Sequence, residues 1–301
     1  VSPCSNGLPY VHDGKAPNPP VLVGTSPVSP GTSTAVTVTA TAEPGTNVSI
    51  FATADCTGPA LGAGAADAGT AVVDVIVPAD TATTLSAGAT DSAGNVSACS
   101  ATPLVYVHDG QPPTAPTLTG TSPLSPSSFL TPEVFGTAEP LSHVVVFGTA
   151  DCSGPSIGEI DATPTGEFVA SVNVPENTTT DLSAHAIDAA GQTSGCASGL
   201  QYTHDSSQPA VVVFFGTEPV SPSNATTTPT VRGASESGAT VHLYLEPDCG
   251  GLPVAQGPTD GSGTFALPVT VPKNATTLIF GTSTDSASNV GPCSPIPASY
   301  T

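Results

Sequence analysis

Tryptophan and methionine are absent from the 301 residues, and only Lys15, Arg232 and Lys273 carry positive charge. Set against 24 acidic residues, three cations leave a net charge of −21. That balance excludes nucleic-acid binding through phosphate neutralisation, which needs clustered Lys and Arg. It equally disfavours contact with anionic lipid, and makes cations the natural partners. No run of 18 apolar residues occurs, so no membrane-spanning helix is expected. The opening VSPCSNGLPY does not read as a signal peptide, and any export signal is expected to have been removed or to lie outside this segment.

What is present is turn punctuation. Proline (33) and glycine (31) make up about a fifth of the chain, and Thr, Ser, Ala and Val dominate the rest. Apart from Ala, strong helix formers are scarce, and with so many β-branched and turn residues this points to an all-β fold of many short strands. A hydrophobic content of 38%, arranged in alternating runs, argues against disorder. TAVTVTATAEP, TNVSIFATA, TAVVDVIVP, TTLSAGATD and TPLVYVHD all alternate with period two. Between them stand the turn clusters EPGT, DCTGPA, ADAGT and DSAGN. With an opening PPVLVGTSP and a short LGAGAA, about seven strands fill each ~97 residues, the size of an immunoglobulin-like sandwich.

The pattern repeats. GTS or GTE begins at Gly24, Gly120 and Gly216, and His-Asp recurs at His12, His108 and His204, each in steps of 96. The expected organisation is residues 1–15 as the tail of a preceding unit, then repeats at 16–111, 112–207 and 208–301, cut from a longer array. Phe51, Phe147 and Tyr244 are equivalent positions, as are Tyr10, Tyr106 and Tyr202, and packing is their expected role.

GTAEP, the hairpin after it, TTLSAGATDSAGNVS and the Pro-rich PPTAPTLTGTSP resemble the bacterial Ig-like repeats of very large secreted adhesins. The resemblance covers nearly the whole chain. It implies an extended stalk that places a terminal binding domain far from the cell, often stiffened by calcium at domain junctions. This chain departs from that pattern in carrying cysteines and a His before each junction Asp.

Strand counting places the turn between the second and third strands, the turn between the last two, and the exit residue of the preceding unit at one end. Three carboxylate sets are then expected to converge: Asp13, Glu43 and Asp91; Asp109, Glu139 and Asp188; Asp205, Glu236 and Asp285. Close carboxylates repel, and hard oxygen donors suit Ca2+. The alternative reading is that these acids cap turns and stay solvated; Asn95, Gln192 and Asn289 offer either a further carbonyl ligand or, as expected here, side-chain stabilisation of the turn. The neighbouring His is a poor calcium ligand, and without CxxC or HExxH a weak zinc signal; an exposed strand-end His is expected.

Seven cysteines point to an oxidising, extracellular setting. Parity favours pairs within each repeat, Cys56–Cys99, Cys152–Cys196 and Cys249–Cys293. Strand counting instead sets the two cysteines of a repeat at opposite ends, which favours Cys56–Cys196 and Cys152–Cys293 across repeats. Both pairings stand open at this point; the first leaves over Cys4, the second Cys4, Cys99 and Cys249, for units outside this segment.

No G-x-S-x-G elbow occurs, and residues reused in three copies serve the repeat rather than an active site, so no catalysis is expected. The functional expectation is a structural stalk segment at the cell surface. The alternatives are a subunit of a polymerised filament or sheath, and a module binding a glycan or protein receptor through one repeat.

Overall fold

Alternation of β-branched with small polar residues sets the strands. The computed structural model describes residues 10–301; Cys4 and most of the expected tail 1–15 lie outside the described residues. Seven strands occupy the first repeat: β1 (Val21–Ser26), β2 (Ala35–Thr41), β3 (Asn47–Phe51), β4 (Ala60–Ala65), β5 (Thr70–Ile76), β6 (Ala82–Thr90) and β7 (Leu104–Val107). They form two sheets, β1-β2-β5 and β4-β3-β6-β7, antiparallel throughout. In β5 the sequence TAVVDVI buries Ala71, Val73 and Val75 and exposes Thr70, Val72, Asp74 and Ile76. Because side-chain direction alternates, one sequence supplies both a core face and a solvent face.

The second repeat contains β8 (Thr117–Ser122), β9 (Glu133–Thr137), β10 (His143–Phe147), β11 (Ser156–Asp161), β12 (Glu167–Ser171), β13 (Thr179–Ile187) and β14 (Ala197–Thr203). The third contains β15 (Val213–Glu218), β16 (Thr230–Ala234), β17 (Thr240–Tyr244), β18 (Ala255–Pro258), β19 (Thr264–Pro268), β20 (Thr277–Thr284) and β21 (Ala298–Tyr300). Both repeat the three-on-four arrangement, as β12-β9-β8 with β11-β10-β13-β14 and as β15-β16-β19 with β18-β17-β20-β21. The chain divides into two compact units, one running to Pro113 and including Ile187–Thr193, the other comprising Thr114–Ala186 and Ser194–Thr301.

Each sandwich has its own apolar core. The first gathers Val36, Val38, Val48, Ile50, Val73 and Leu85, all at most 2% exposed. Burying each such side chain contributes about 1.5–3 kcal/mol, offset by backbone ordering of similar total size. Tyr106 and Tyr202 complete their cores, with hydroxyls donating to the carbonyls of Ser33 and Phe129 (both 2.9 Å). Tyr300 fills the same place in the third core. Phe147 is buried, while Phe51 and Tyr244 are half-buried. Tyr10 departs from the packing expected of it and is 88% exposed.

All three disulfides close within a repeat: Cys56–Cys99, Cys152–Cys196 and Cys249–Cys293, with Cα separations of 5.6–5.8 Å. The cross-repeat pairing is therefore not the one formed. Strand counting misplaced Cys99 because it stopped at the turn after β6. From Val96 the chain runs back along β6, Ser97 N–H donating to Ala89 and Ser100 N–H to Ala87 (both 2.8 Å). That return carries Cys99 to the level of Ser86, which pairs with Phe51 at the end of β3, where the Cys56 loop begins.

Candidate functional site: the repeat junction

The junction begins where the last strand of a sandwich runs out. Beyond β7 the chain pairs in parallel with the loop ahead of β2: Gly31 N–H donates to Val107, and Asp109 N–H donates to Gly31 (both 3.0 Å). Between those bonds the His108 side chain enters the sandwich and is 7% exposed. Its Nδ1 accepts from Asp80 N–H at 2.8 Å, and its Nε2 lies 3.1 Å from the Thr32 carbonyl. A carbonyl can only accept, so the imidazole is the neutral Nε2–H tautomer.

The second sandwich repeats this seat. His204, 2% exposed, accepts from Asn177 N–H at 2.8 Å and donates to Ser128 at 3.1 Å. Asp80 and Asn177 both hold positive φ, 51° in each case, and their side-chain oxygens accept from Gly110 N–H and Ser206 N–H. The exposed strand-end His expected from the sequence is thus correct only for His12; His108 and His204 are buried ring-for-backbone plugs.

The receiving half of the junction is a five-residue turn. Asp91 Oδ1 accepts the N–H groups of Ala93 and Asn95 (both 2.9 Å), and Oδ2 accepts Asn95 Nδ2 (2.8 Å). A primary amide has two N–H bonds, and the Asn95 amide also donates to the backbone carbonyl of Asp13 at 3.1 Å. Gln192 does the same for Asp188 and the Asp109 carbonyl (3.1 Å), and Asn289 for Asp285 and the Asp205 carbonyl (2.9 Å). Every one of these bonds lies within a single compact unit.

The structure does not gather the carboxylates of the expected calcium ligands around one point. Among the described residues no group of three or more His, Cys, Asp or Glu is placed to hold one. Asp91, Asp188 and Asp285 spend their oxygens on N–H donors of their own turn. The aspartates at 13, 109 and 205 meet the junction through backbone carbonyls. Glu43, Glu139 and Glu236 enter through backbone carbonyls as well, accepting from Thr46, Ser142 and Thr259 hydroxyls at 2.7 Å. N–H groups of its own turn satisfy each turn carboxylate. The reach of the amide to the preceding linker was missed. Its signal was present, an Asn or Gln four residues beyond the turn Asp in every copy.

The Asn95 side chain, then the backbone N–H bonds, hold Asp91 below the ordinary carboxylate pKa. A folded pKa below the unfolded value gives stability that is present above about pH 4 and is lost as pH falls through the folded pKa. The melting temperature should accordingly drop below about pH 4, with a shallower slope in Asp91→Asn. Equal slopes in the two proteins would remove the turn carboxylate from the account.

One further ionic cluster sits on neighbouring strands of the second sandwich. His143 lies 2.7 Å from Asp161 and 3.6 Å from Glu159, and its pKa is raised chiefly by the Asp161 hydrogen bond.

Taken together, strand order and core placement define a chain of tandem immunoglobulin-like β-sandwiches. No family model matches the chain, and no curated protein matches it. Solved structures with similar arrangements include the chicken CNTN1 FN1-FN3 domains, at 15% identity over 92% of this chain and 97% of that one, TM-score 0.33. The D00-D0 domain of Intimin is 13% identical over 60% of this chain and 99% of its own, TM-score 0.27. The BSP domain of a biofilm associated protein is 12% identical over 97% and 68%, TM-score 0.25. At these scores the likeness carries no functional argument, and the fold stands on the strand order itself.

Proposed function

We propose that this chain is a structural spacer segment of a secreted or cell-surface adhesin-like fibre, with no catalytic role. One observation supports the reading above others. The same side-chain amide holds the same backbone carbonyl at all three junctions, through Asn95, Gln192 and Asn289. A contact reused in each copy serves the array rather than a single ligand. Three bridged sandwiches agree with an oxidising extracellular setting. No helix among the described residues is long and apolar enough to cross a membrane.

Pulling single chains tests the reading. A load-bearing spacer should lengthen in discrete steps, one for each sandwich. Each bridge spans 43 or 44 residues. Reducing it should lengthen each step by about 150 Å, the extended length of the released loop. Smooth extension without steps would count against a mechanical role.

A further inference from the structure

The third sandwich differs from the other two on the outer face of its three-stranded sheet. There an open groove of about 600 Å³ is lined by Phe215, Arg232, Asp260, Thr264 and Ala266 among others. β15 carries a bulge between Phe214 and Gly216, and a bulge re-aims the side chains beside it. Phe214 turns in and meets Phe265 edge to face at 6.2 Å, while Phe215 is left 66% exposed. Arg232 stands on the central strand β16, paired with Gly216 on one side and Ala266 on the other. Its guanidinium donates to Glu218, which fixes the fork and uses only part of its N–H groups. Asp260 Oδ1 accepts the Ser262 and Thr264 N–H groups (both 2.9 Å), and Oδ2 accepts the Thr264 hydroxyl (2.7 Å). The Ser262 hydroxyl, then the Thr264 hydroxyl and the backbone N–H groups, hold this carboxylate well below its ordinary pKa, so it is ionised at neutral pH.

Strand register identifies the equivalent positions in the other sandwiches. Phe215 answers to Val23 and Thr119, each the bulged residue of its strand, and Arg232 to Thr39 and Phe135. Ala266 answers to Val72 and Val169, and Asp260 to Asp67 and Thr163. An exposed ring, a cation and a fixed carboxylate therefore share this face in the third sandwich alone, with alanine in place of valine leaving room between them. Stacking of repeats asks the same of every copy, so a constellation found in one copy answers to something else.

We propose that this groove binds a neutral oligosaccharide. A pyranose ring has a face of polarised C–H bonds, which suits the negative face of the Phe215 ring, and a rim of hydroxyls that both donate and accept. Arg232 supplies donors to those hydroxyls and Asp260 supplies acceptors, and hydrogen bonds to charged groups are the stronger kind. Both groups are already held, Arg232 by Glu218 and Asp260 by its own turn, so little ordering is left for the ligand to impose.

Charge and topology set aside the other occupants. The Arg232 charge is balanced by Glu218, Asp260 adds a negative one, and the whole chain stands at −21, so an anionic sugar is repelled. An extended peptide joins a sheet by adding a strand at its edge, and on central β16 both neighbours are already in place. With one exposed ring in an open groove the contact is weak, at a Kd of about 1 mM.

The proposal goes beyond the spacer reading and does not depend on it, since stepwise extension under load is indifferent to sugar on this face. The full chain, isotope-labelled, is titrated with cellohexaose, maltohexaose, mannohexaose and xylohexaose, each to about 10 mM, and followed by NMR. At least one should shift the backbone amides of Phe215, Arg232 and Thr264 along a saturating curve, leaving those of Val23 and Thr119 in place. Phe215→Val and, separately, Arg232→Thr should raise the Kd about tenfold or more. These replacements are the residues that the first sandwich carries at the same places, and unchanged melting curves confirm folding. No shift with any of these sugars, equal shifts in both variants, or tighter binding of hexagalacturonate overturns the proposal. So does a sedimenting mass that rises with concentration in the parent and not in Phe215→Val, because the groove is then filled by a second copy.

Discussion

Replacing Cys152 and Cys196 together with alanine should destabilise the second sandwich by about 4 kcal/mol. The bridge joins residues 44 apart in sequence. Closing a loop of that length removes roughly this much free energy's worth of chain entropy from the unfolded state. For a sandwich of this size the shift in melting temperature is roughly 15–30 °C. The folded state adds little to oppose it, since a Cα separation of 5.8 Å lies inside the range disulfides adopt. The loop so closed contains β11, β12 and β13, strands from both sheets, so the bridge limits how far the two layers part on unfolding. Urea denaturation of the variant against the oxidised parent measures the difference. A loss below about 1 kcal/mol would mean that the unfolded chain is already compact around this loop.

The strands were legible because period-two alternation is a local property. TAVVDVI declares its two faces within seven residues, and the structure buries the alternate ones. Turn chemistry was equally local: the Asp91 turn forms from the Asp, Gly and Asn of DSAGN. What failed was anything needing position within a layer. Counting strands assigns residues to an end of the sandwich, but metal ligation needs oxygens within a few ångströms of one point. Glu43 and Asp13 are at a junction, yet Glu43 offers its backbone carbonyl there, and Asp13 offers its carbonyl to Asn95 and its carboxylate to Lys15 N–H. Cys99 was misplaced for a related reason: strand counting gave no place to the segment after the Asp91 turn, yet the Ser97 and Ser100 hydroxyls accept Ala89 and Ala87 N–H bonds and hold the chain back along β6. The histidine seat is also far from local, since His108 finds Thr32 across 76 residues. Polarity alone suggested solvent; only the folded loop Pro27–Thr32 supplies the matching carbonyl.

His204→Ala should cost the second sandwich about 3 kcal/mol, whereas His12→Ala should change stability by less than about 0.5 kcal/mol. The two residues open the same His-Asp dipeptide, but His204 is 2% exposed and His12 lies in solvent. Truncation at 204 strips Asn177 N–H and the Ser128 carbonyl of their partner, each a part-buried bond whose loss is worth about 1 kcal/mol. It also leaves a ring-sized void, to which the surrounding strands adjust only in part. The effect should travel along the backbone to the junction. Asp205 N–H is held by the Ser127 carbonyl, and the Asp205 carbonyl is what Asn289 grips. Hydrogen exchange at Asp205 should therefore quicken in His204→Ala well beyond what global unfolding predicts. If exchange there merely tracks the loss of stability, the seat is a core plug with no part in ordering the linker.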